Sequence, residues 1–236
     1  RENDRKGSGD PMFRLTAVGL EKAGKQILSD ITLAVQPGEC LVLAGENGAG
    51  KSSLLRLFNR LDDPTSGEIR FRNRDLLKIP VRSVRKRIGM VMQGPVLFDG
   101  TVRHVFDRVR RVLKRDFSDA SILDRVGLPE QILDRKTGDL SGGEIQLITI
   151  GLVLERKPDV LLLDEPASAL SVTAMERLEA LLCDLKASGI TMIQVTHHID
   201  RMVDKADRGV FLENGKVKRI GPMSEIAGMF RNGGAR

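Results

Sequence analysis

Residues 45–52 have the composition and spacing of a segment that binds the phosphates of a nucleotide. They read Gly45-Glu46-Asn47-Gly48-Ala49-Gly50-Lys51-Ser52 and match the pattern GxxxxGK[ST] in full. An apolar run over 40–44 precedes them, and a helix-like segment that opens with Ser53 follows. Backbone N–H groups in such a loop surround an anion, and the helix start adds its positive dipole end. The sequence therefore predicts that residues 45–53 bind a nucleoside triphosphate.

Two charged or polar positions in this loop, and two acids further along the chain, have the types needed for phosphate chemistry. Lys51 is placed to reach the β- and γ-phosphates, and the Ser52 hydroxyl to hold Mg²⁺. Asp164 and Glu165 follow four apolar residues, 160–163, which predict a buried parallel strand. Acids at the carboxyl end of such a strand lie where ligands bind in open α/β sheets. We expect Asp164 to hold Mg²⁺ and Glu165 to act as general base on the attacking water.

A third motif narrows the class of phosphate-loop protein. Residues 140–144, Leu140-Ser141-Gly142-Gly143-Glu144, closely resemble the LSGGQ signature of ABC-type ATPases and precede the Asp164-Glu165 segment, as in that family. Gln93 resembles the family's glutamine after a strand, and His197 resembles its switch histidine after a later strand. The five elements occur in the family's order, and the resemblance covers residues 12 to about 225.

The resemblance implies an activity and an assembly. Glu165, His197 and Gln93 would serve hydrolysis, with Gln93 also beside the metal. Ser141, Gly142 and Gly143 would contact the γ-phosphate held by a second subunit, so that a homodimer encloses two ATP molecules. In an ABC transporter this cycle drives an integral membrane permease, which would be a separate chain. The expected location is cytoplasmic, on the inner face of the membrane.

The predicted fold class is α/β: a P-loop NTPase core with a mostly parallel sheet, an antiparallel β layer and an inserted helical subdomain. Alternating residues over 12–36 and the segment 66–71 suit antiparallel strands. Residues from about 95 to 157 are helix-rich and form the predicted subdomain, followed by strands at 191–196 and 209–213 and helices at 172–188 and 224–231. We expect a disordered tail at 1–11 and a single ATP-binding domain over 12–236.

Composition agrees with a protein that has no membrane span. The 236 residues are 41% hydrophobic, enough for a core, and no run approaches the roughly 18–20 apolar residues of a membrane helix. No amino-terminal apolar segment suggests a signal peptide. Cys40 and Cys183 are predicted to be small core residues.

The net charge is +6, from 38 basic and 32 acidic residues, and much of the excess lies in 82–87 and 103–115. Apolar residues recur at helical spacing in the second run, which favours the solvated face of an amphipathic helix over a nucleic-acid groove. Aromatics suited to base stacking are few: eight Phe and no Tyr or Trp. Nucleic acid is therefore an unlikely partner, and an anionic lipid surface is a further explanation of the charge.

Three positions depart from the family's pattern. An aromatic residue usually faces adenine before the phosphate-loop strand, whereas this chain has Lys22 or Ala23 there. The chain has Ser171 in place of an aspartate that helps couple the two sites, and Leu147 in place of an arginine. We therefore expect the chain to select ATP over other nucleotides less strictly and the two nucleotide sites of a dimer to be coupled more weakly. Hydrolysis should be retained.

The stretch 85–102 is similar to that of phosphate-importer and iron- or metal-exporter ATPases. Its apolar residues 96–98 would form either a docking surface for the permease or ordinary core. The leading function is the ATPase subunit of an ABC transporter. The alternatives are a soluble ABC ATPase that acts on nucleic acid, ribosome or a cofactor-assembly scaffold, and a nucleotide-gated assembly protein that scarcely hydrolyses.

Overall fold

A computed structural model describes residues 9–233. Of the predicted disordered tail, 1–8 lie outside the described residues; Gly9 and Asp10 are exposed and Pro11 is already buried. Two sheets, with helices packed around them, make up the described chain. No helix within residues 9–233 is long and apolar enough to cross a membrane.

The smaller sheet is antiparallel and has the strand order β2-β1-β4-β5. Its strands are β1 (Phe13–Lys22), β2 (Lys25–Val35), β4 (Ser66–Phe71) and β5 (Arg74–Asp75). Buried and exposed residues alternate at the start of β1, with Phe13 and Leu15 inside, because successive side chains of a strand point to opposite faces. The predicted antiparallel layer is confirmed.

The larger sheet has the order β10-β9-β3-β8-β7-β6. Its strands are β3 (Cys40–Gly45), β6 (Ile88–Val91), β7 (Val160–Asp164), β8 (Thr191–Val195), β9 (Arg208–Glu213) and β10 (Lys216–Gly221). All are parallel except the edge strand β10, which runs antiparallel to β9. β3, β7 and β8 are buried along their whole length, as expected for parallel strands covered on both faces. The predicted fold class is therefore confirmed.

Within residues 9–233, seven α-helices surround the two sheets, and part of them form a unit of their own. They are α1 (Lys51–Phe58), α2 (Val81–Arg87), α3 (Val102–Leu113), α4 (Asp119–Val126), α5 (Gly142–Leu154), α6 (Val172–Ala187) and α7 (Met223–Gly233). Two apolar cores lie on opposite faces of the sheet: Leu41 and Leu43 of β3 point into one, and Cys40 and Val42 point into the other. Because successive side chains of a strand point to opposite faces, β3 alone contributes residues to the apolar cores on both sides of the sheet.

The helix-rich stretch holds α3, α4 and α5, which share a third apolar core. Phe106, Ile122 and Ile148 contribute one fully buried side chain from each helix. A core of their own is what helices need to form a separate packed unit.

Three features differ from the sequence predictions. The basic run 82–87 forms α2, and residues 216–221 form β10; neither was predicted as an element. Cys40 is buried as expected, and burial raises the pKa of its thiol to about 12. The prediction for Cys183 was wrong, because Cys183 follows the buried Leu182 on α6 and lies on the exposed side of that helix.

Candidate nucleotide-binding site

The site lies at the carboxyl edge of four neighbouring parallel strands. In the sheet, Leu43 of β3 pairs with Val195 of β8, and Val195 pairs with Asp164 of β7. Three segments therefore begin at the same level of the sheet: the phosphate loop, the residues after β8 and the acids at the end of β7. Strand register, which the sequence does not specify, brings the three segments together.

Glycine conformation shapes the phosphate loop. Gly45, Gly48 and Gly50 have φ angles of 142°, 80° and 99°, a region that side chains rarely adopt. A Cβ atom on Gly45 would lie 2.2 Å from the carbonyl oxygen of Leu212, so the loop also packs directly on β9. These features match a loop whose backbone must turn N–H groups toward an anion.

A turn that the sequence reading missed supports this loop from outside. Asn214 and Gly215 join β9 to β10 with φ angles of 50° and 74°, the left-handed pair of a tight hairpin turn. The Gly215 N–H donates to the carbonyl of Ala49 at 3.2 Å, and the Gly215 carbonyl accepts from the Ser29 N–H at 2.8 Å. The Asn-Gly pair was the available sequence signal for this hairpin.

Lys51 lies buried at the start of α1. Its ammonium donates to the carbonyl oxygens of Gly45 and Glu46, each at 2.8 Å. Burial lowers the pKa of Lys51, while the nearby carboxylates of Glu165 and Asp164 oppose that shift. The ammonium is thus held inside the loop by the carbonyls, close to the two acids.

Ser52 and Asp164 provide oxygen ligands of the kind that Mg²⁺ prefers. The Ser52 hydroxyl donates to Asp164 Oδ1 at 3.0 Å, and Asp164 is buried. Mg²⁺ commonly uses one or two protein oxygens and completes its shell with water and substrate phosphates. The residues present fit this ion. No group of three or more His, Cys, Asp or Glu side chains within residues 9–233 could form a metal site by itself.

Glu165 and His197 are in contact. Glu165 is buried and has a φ of 50°, an uncommon value for a long side chain, and its N–H donates to the Val195 carbonyl. The His197 N–H donates to Glu165 Oε2 at 3.2 Å, and His197 Nε2 lies 3.2 Å from Oε1. Oε1 is buried and has no well-oriented hydrogen bond within the described chain.

Gln93 lies on the same edge of the sheet but stands apart from the other groups. Strand β6 ends at Val91, which pairs with Leu163 of β7, and Gln93 follows two residues later in an exposed loop. In residues 9–233 its side chain forms no hydrogen bond with Ser52 or Asp164. Its role beside the metal stays a prediction.

The signature residues lie at the start of α5. Ser141 caps this helix in a reciprocal pair: its Oγ accepts from the Glu144 N–H at 3.2 Å, and its own N–H donates to Glu144 Oε2 at 2.8 Å. Ser141 and Gly143 line an open cavity of about 800 Å³ together with Ala169 and Ser171. No phosphate-loop residue lines this cavity.

The three departures from the family pattern take on structural roles. Ala23 lies in the turn between β1 and β2 with a φ of 49°, and Lys22 pairs with Asp62 at 2.6 Å. Ser171 caps α6 by accepting from the Ala174 N–H, and Leu147 is buried in the core. Within residues 9–233, none of these residues forms a hydrogen bond or an ion pair with Lys51, Asp164 or Glu165.

The phosphate loop, the buried acids and the parallel sheet define a P-loop nucleoside triphosphatase fold. A narrower assignment comes from the family model described as ABC transporter, which matches residues 28–168. The chain belongs to this ABC transporter family.

Individual relatives support the assignment to this family. The chain is 34% identical to STAR1 of Oryza sativa subsp. japonica over 88% of its own length and 61% of the relative's. It is 35% identical to the spermidine/putrescine import ATP-binding protein PotA of Mesoplasma florum, over 91% of this chain and 63% of that protein. It therefore spans less than two thirds of these two relatives. It is also 34% identical to the energy-coupling factor transporter ATP-binding protein EcfA2 of Latilactobacillus sakei, over 84% of this chain and 72% of that protein.

Solved structures share the fold over nearly the whole chain. The cbiO1 subunit of Clostridium perfringens, part of the ABC transporter complex cbiONQ, superposes with a TM-score of 0.79 at 28% identity, covering 93% of this chain and 91% of that one. The ATP-binding cassette MJ0796, a dimer in a post-hydrolysis state bound to ADP and Pi, gives 0.78 at 26% identity, covering 90% and 99%.

Proposed function

We propose that this chain is the ATP-binding and ATP-hydrolysing part of an ABC transporter and that it works on a separate membrane permease. The observation that carries the proposal is the group of side chains along one edge of the sheet: the buried Lys51, the Ser52–Asp164 pair and the Glu165–His197 pair. These are the side-chain types that bind a triphosphate, hold its metal and activate water.

The chain's own residues divide the work of hydrolysis. Lys51 would exchange its bonds to the loop carbonyls for bonds to the phosphates, which fixes the γ-phosphate in place. Bound Mg²⁺, held by Ser52 and Asp164 and approached by Gln93, would neutralise charge on the β- and γ-phosphates. Glu165 would accept a proton from the attacking water, while His197, whose N–H and Nε2 lie beside the two carboxylate oxygens, holds the carboxylate in position.

The site would be completed by a second copy of the chain. Ser141, Gly142 and Gly143 form an exposed helix start, where N–H groups favour an anion. In the family that the chain resembles, these residues meet the γ-phosphate held by the other subunit, so the γ-phosphate they bind would belong to the partner. The dimer of the similar MJ0796 cassette supports this arrangement.

An exposed apolar surface beyond β6 supports contact with a permease. Val96 is 90% exposed and Phe98 is 53% exposed, and Met92 is also exposed. Leu97 between them packs against the helical core and holds the segment in place. Docking here would set the location of the chain at the cytoplasmic face of the membrane and would link the permease to Gln93, which precedes the surface.

The transported substrate is not specified by these residues. The similarity of 85–102 to phosphate-importer and iron- or metal-exporter ATPases stays a prediction. The relatives named above carry other descriptions, among them spermidine/putrescine import for PotA. We infer the ATPase cycle and leave the cargo to the permease, because the contacts that select cargo belong to that chain.

The Glu165→Gln variant tests this proposal. It should bind ATP with near-normal affinity and lose about 10²-fold or more of its phosphate release, because the general base is removed while the shape is kept. An ATP-bound dimer should accumulate and be visible by size-exclusion chromatography. Glu130→Gln, an exposed carboxylate away from the site, is the matched control and should hydrolyse normally. Normal phosphate release by Glu165→Gln would show that another group activates the water.

A further inference from the structure

The two basic runs of the sequence meet in one surface groove. The groove of about 850 Å³ lies between α2, the end of α3 and the end of α5. The six cations that line it are Arg82, Arg85, Lys86, Lys114, Arg115 and Arg156. Glu155 is the single acid among the lining residues, and it is buried and paired with Arg125 at 3.4 Å.

Structural roles explain only part of this charge. Arg115 donates to the carbonyl of Glu155 at 2.8 Å, and Arg85 donates to the carbonyls of Asn59 and Arg60. Such contacts cap helix and loop ends but leave the formal charges uncompensated. Arg82, Lys86 and Lys114 are exposed and form no ion pair within residues 9–233. The groove therefore keeps a strong positive field.

Apolar side chains lie among these cations. Val112 is 70% exposed, and Val81 and Leu113 are partly exposed in the same groove. No aromatic ring is among its lining residues, so stacking of nucleic-acid bases has no platform. Basic residues with interspersed aliphatic side chains match the boundary between lipid headgroups and acyl chains.

We infer that this groove binds the surface of an anionic phospholipid membrane directly. The cations contact the headgroup phosphates and carboxylates, while Val112 enters the headgroup layer. Clusters of four to eight Lys or Arg are the usual size for such recognition. This contact goes beyond ATP hydrolysis and permease docking and does not require either.

Vesicle binding of the isolated protein tests the inference. With vesicles of phosphatidylcholine and phosphatidylserine, we expect cosedimentation that weakens as salt rises, and weak binding to pure phosphatidylcholine. The triple variant Arg82→Gln, Lys86→Gln, Lys114→Gln should bind anionic vesicles up to about a hundredfold more weakly, since each cation near the surface contributes about fivefold. Val112→Gln should weaken binding severalfold without changing the charge.

A charge-matched control separates the groove from overall basicity. The exposed residues Arg14, Arg74 and Lys216 form no ion pair in the described chain, and their triple change to Gln removes the same net charge elsewhere. This control should bind vesicles like the wild type. Equal losses in both triple variants, or equal binding to neutral and anionic vesicles, would overturn the inference. Tighter binding of a single-stranded oligonucleotide, lost in the groove variant, would also overturn it and identify a nucleic-acid groove.

ATPase measurements on the same variants keep this inference distinct from the proposed function. None of the groove residues contacts the phosphate loop or the acids of β7, so the groove variants should hydrolyse ATP like the wild type. Loss of vesicle binding with hydrolysis intact would support the lipid contact regardless of the identity of the permease.

Discussion

Lys51, Asp164 and Glu165 are buried together; burial lowers the pKa of Lys51, and the two carboxylates oppose that shift. Such a group would bind a nucleotide through contacts with its phosphates and the metal bound to them, and these contacts are the same for every nucleoside triphosphate. Recognition of the base must come from elsewhere. The structure offers Lys22 and Ala23 at the turn where the family places a ring, and Lys22 is already paired with Asp62.

At the residue scale, we predict that the chain distinguishes ATP from GTP only weakly. Stacking on an aromatic ring contributes about 1–3 kcal/mol, so without it GTP should compete within about tenfold of ATP. Lys22→Tyr should tighten ATP and GTP more than CTP in competition binding, whereas Lys22→Leu removes the ion pair without adding a ring and should not. Ala23→Tyr is the poorer test because the φ of 49° disfavours a bulky side chain. A preference for ATP over GTP of a hundredfold or more in the wild type would contradict this prediction.

At the scale of elements, the sequence predicted the parts of the site whose signals are local. The phosphate loop, its strand and its helix occupy consecutive residues, so their pattern was enough to place them at β3 and α1. The approach of Glu165 to His197 depends on the pairing of β7 with β8, which no local pattern encodes. The sequence analysis did not predict the β9–β10 hairpin, although Asn214-Gly215 signals it, and the run of charge over 82–87 did not by itself indicate the helix α2.

That missed hairpin yields a prediction about ATP binding. Gly215→Ala would place a Cβ atom 2.3 Å from the carbonyl oxygen of Ile27 at a φ of 74°. The turn must shift, and the bond from Gly215 to Ala49 of the phosphate loop should weaken. We expect a severalfold rise in the Kd for ATP by calorimetry. Gly189→Ala is the matched control, because Gly189 has a φ of 87° and open space around it. Equal ATP affinity in the two variants would show that the hairpin does not support the loop.

The helix cap of α5 predicts a pH dependence of stability. Partial burial alone would raise the pKa of Glu144, but hydrogen bonds from Ser141 and the ion pair with Arg135 outweigh it, and the pKa is lowered. A lowered carboxyl pKa stabilises the fold above the unfolded value of about 4.3, and this contribution is lost as pH falls through the folded value. Glu144→Gln should therefore cost about 1 kcal/mol of unfolding free energy at pH 7 and less toward pH 3 in urea titrations. The exposed Glu21→Gln should show no such trend, and a Glu144→Gln effect that stays constant with pH would contradict the assignment.

At the scale of the whole molecule, the proposal is that one chain carries both halves of a nucleotide site and that each half works with the other half on a partner chain. The phosphate loop lies at the carboxyl edge of the parallel sheet, and the Ser141 cap lies with Ala169 and Ser171 on a separate cavity. Two copies related by a two-fold axis would bring each loop to the partner's signature. The central claim is that neither surface completes hydrolysis within a single chain.

Mixing two inactive variants tests this claim most directly. Lys51→Ala should bind ATP poorly, because it loses the contacts of the ammonium with the phosphates. Ser141→Arg should bind ATP as a monomer, but two copies of this variant should neither dimerise nor hydrolyse ATP. A mixed dimer keeps one site with an intact loop and an intact signature. An equal mixture should thus recover measurable ATPase activity, up to about a quarter of the wild type from the statistics of pairing. An equal mixture that stays inactive while labelled subunits are seen to exchange would contradict the two-chain site.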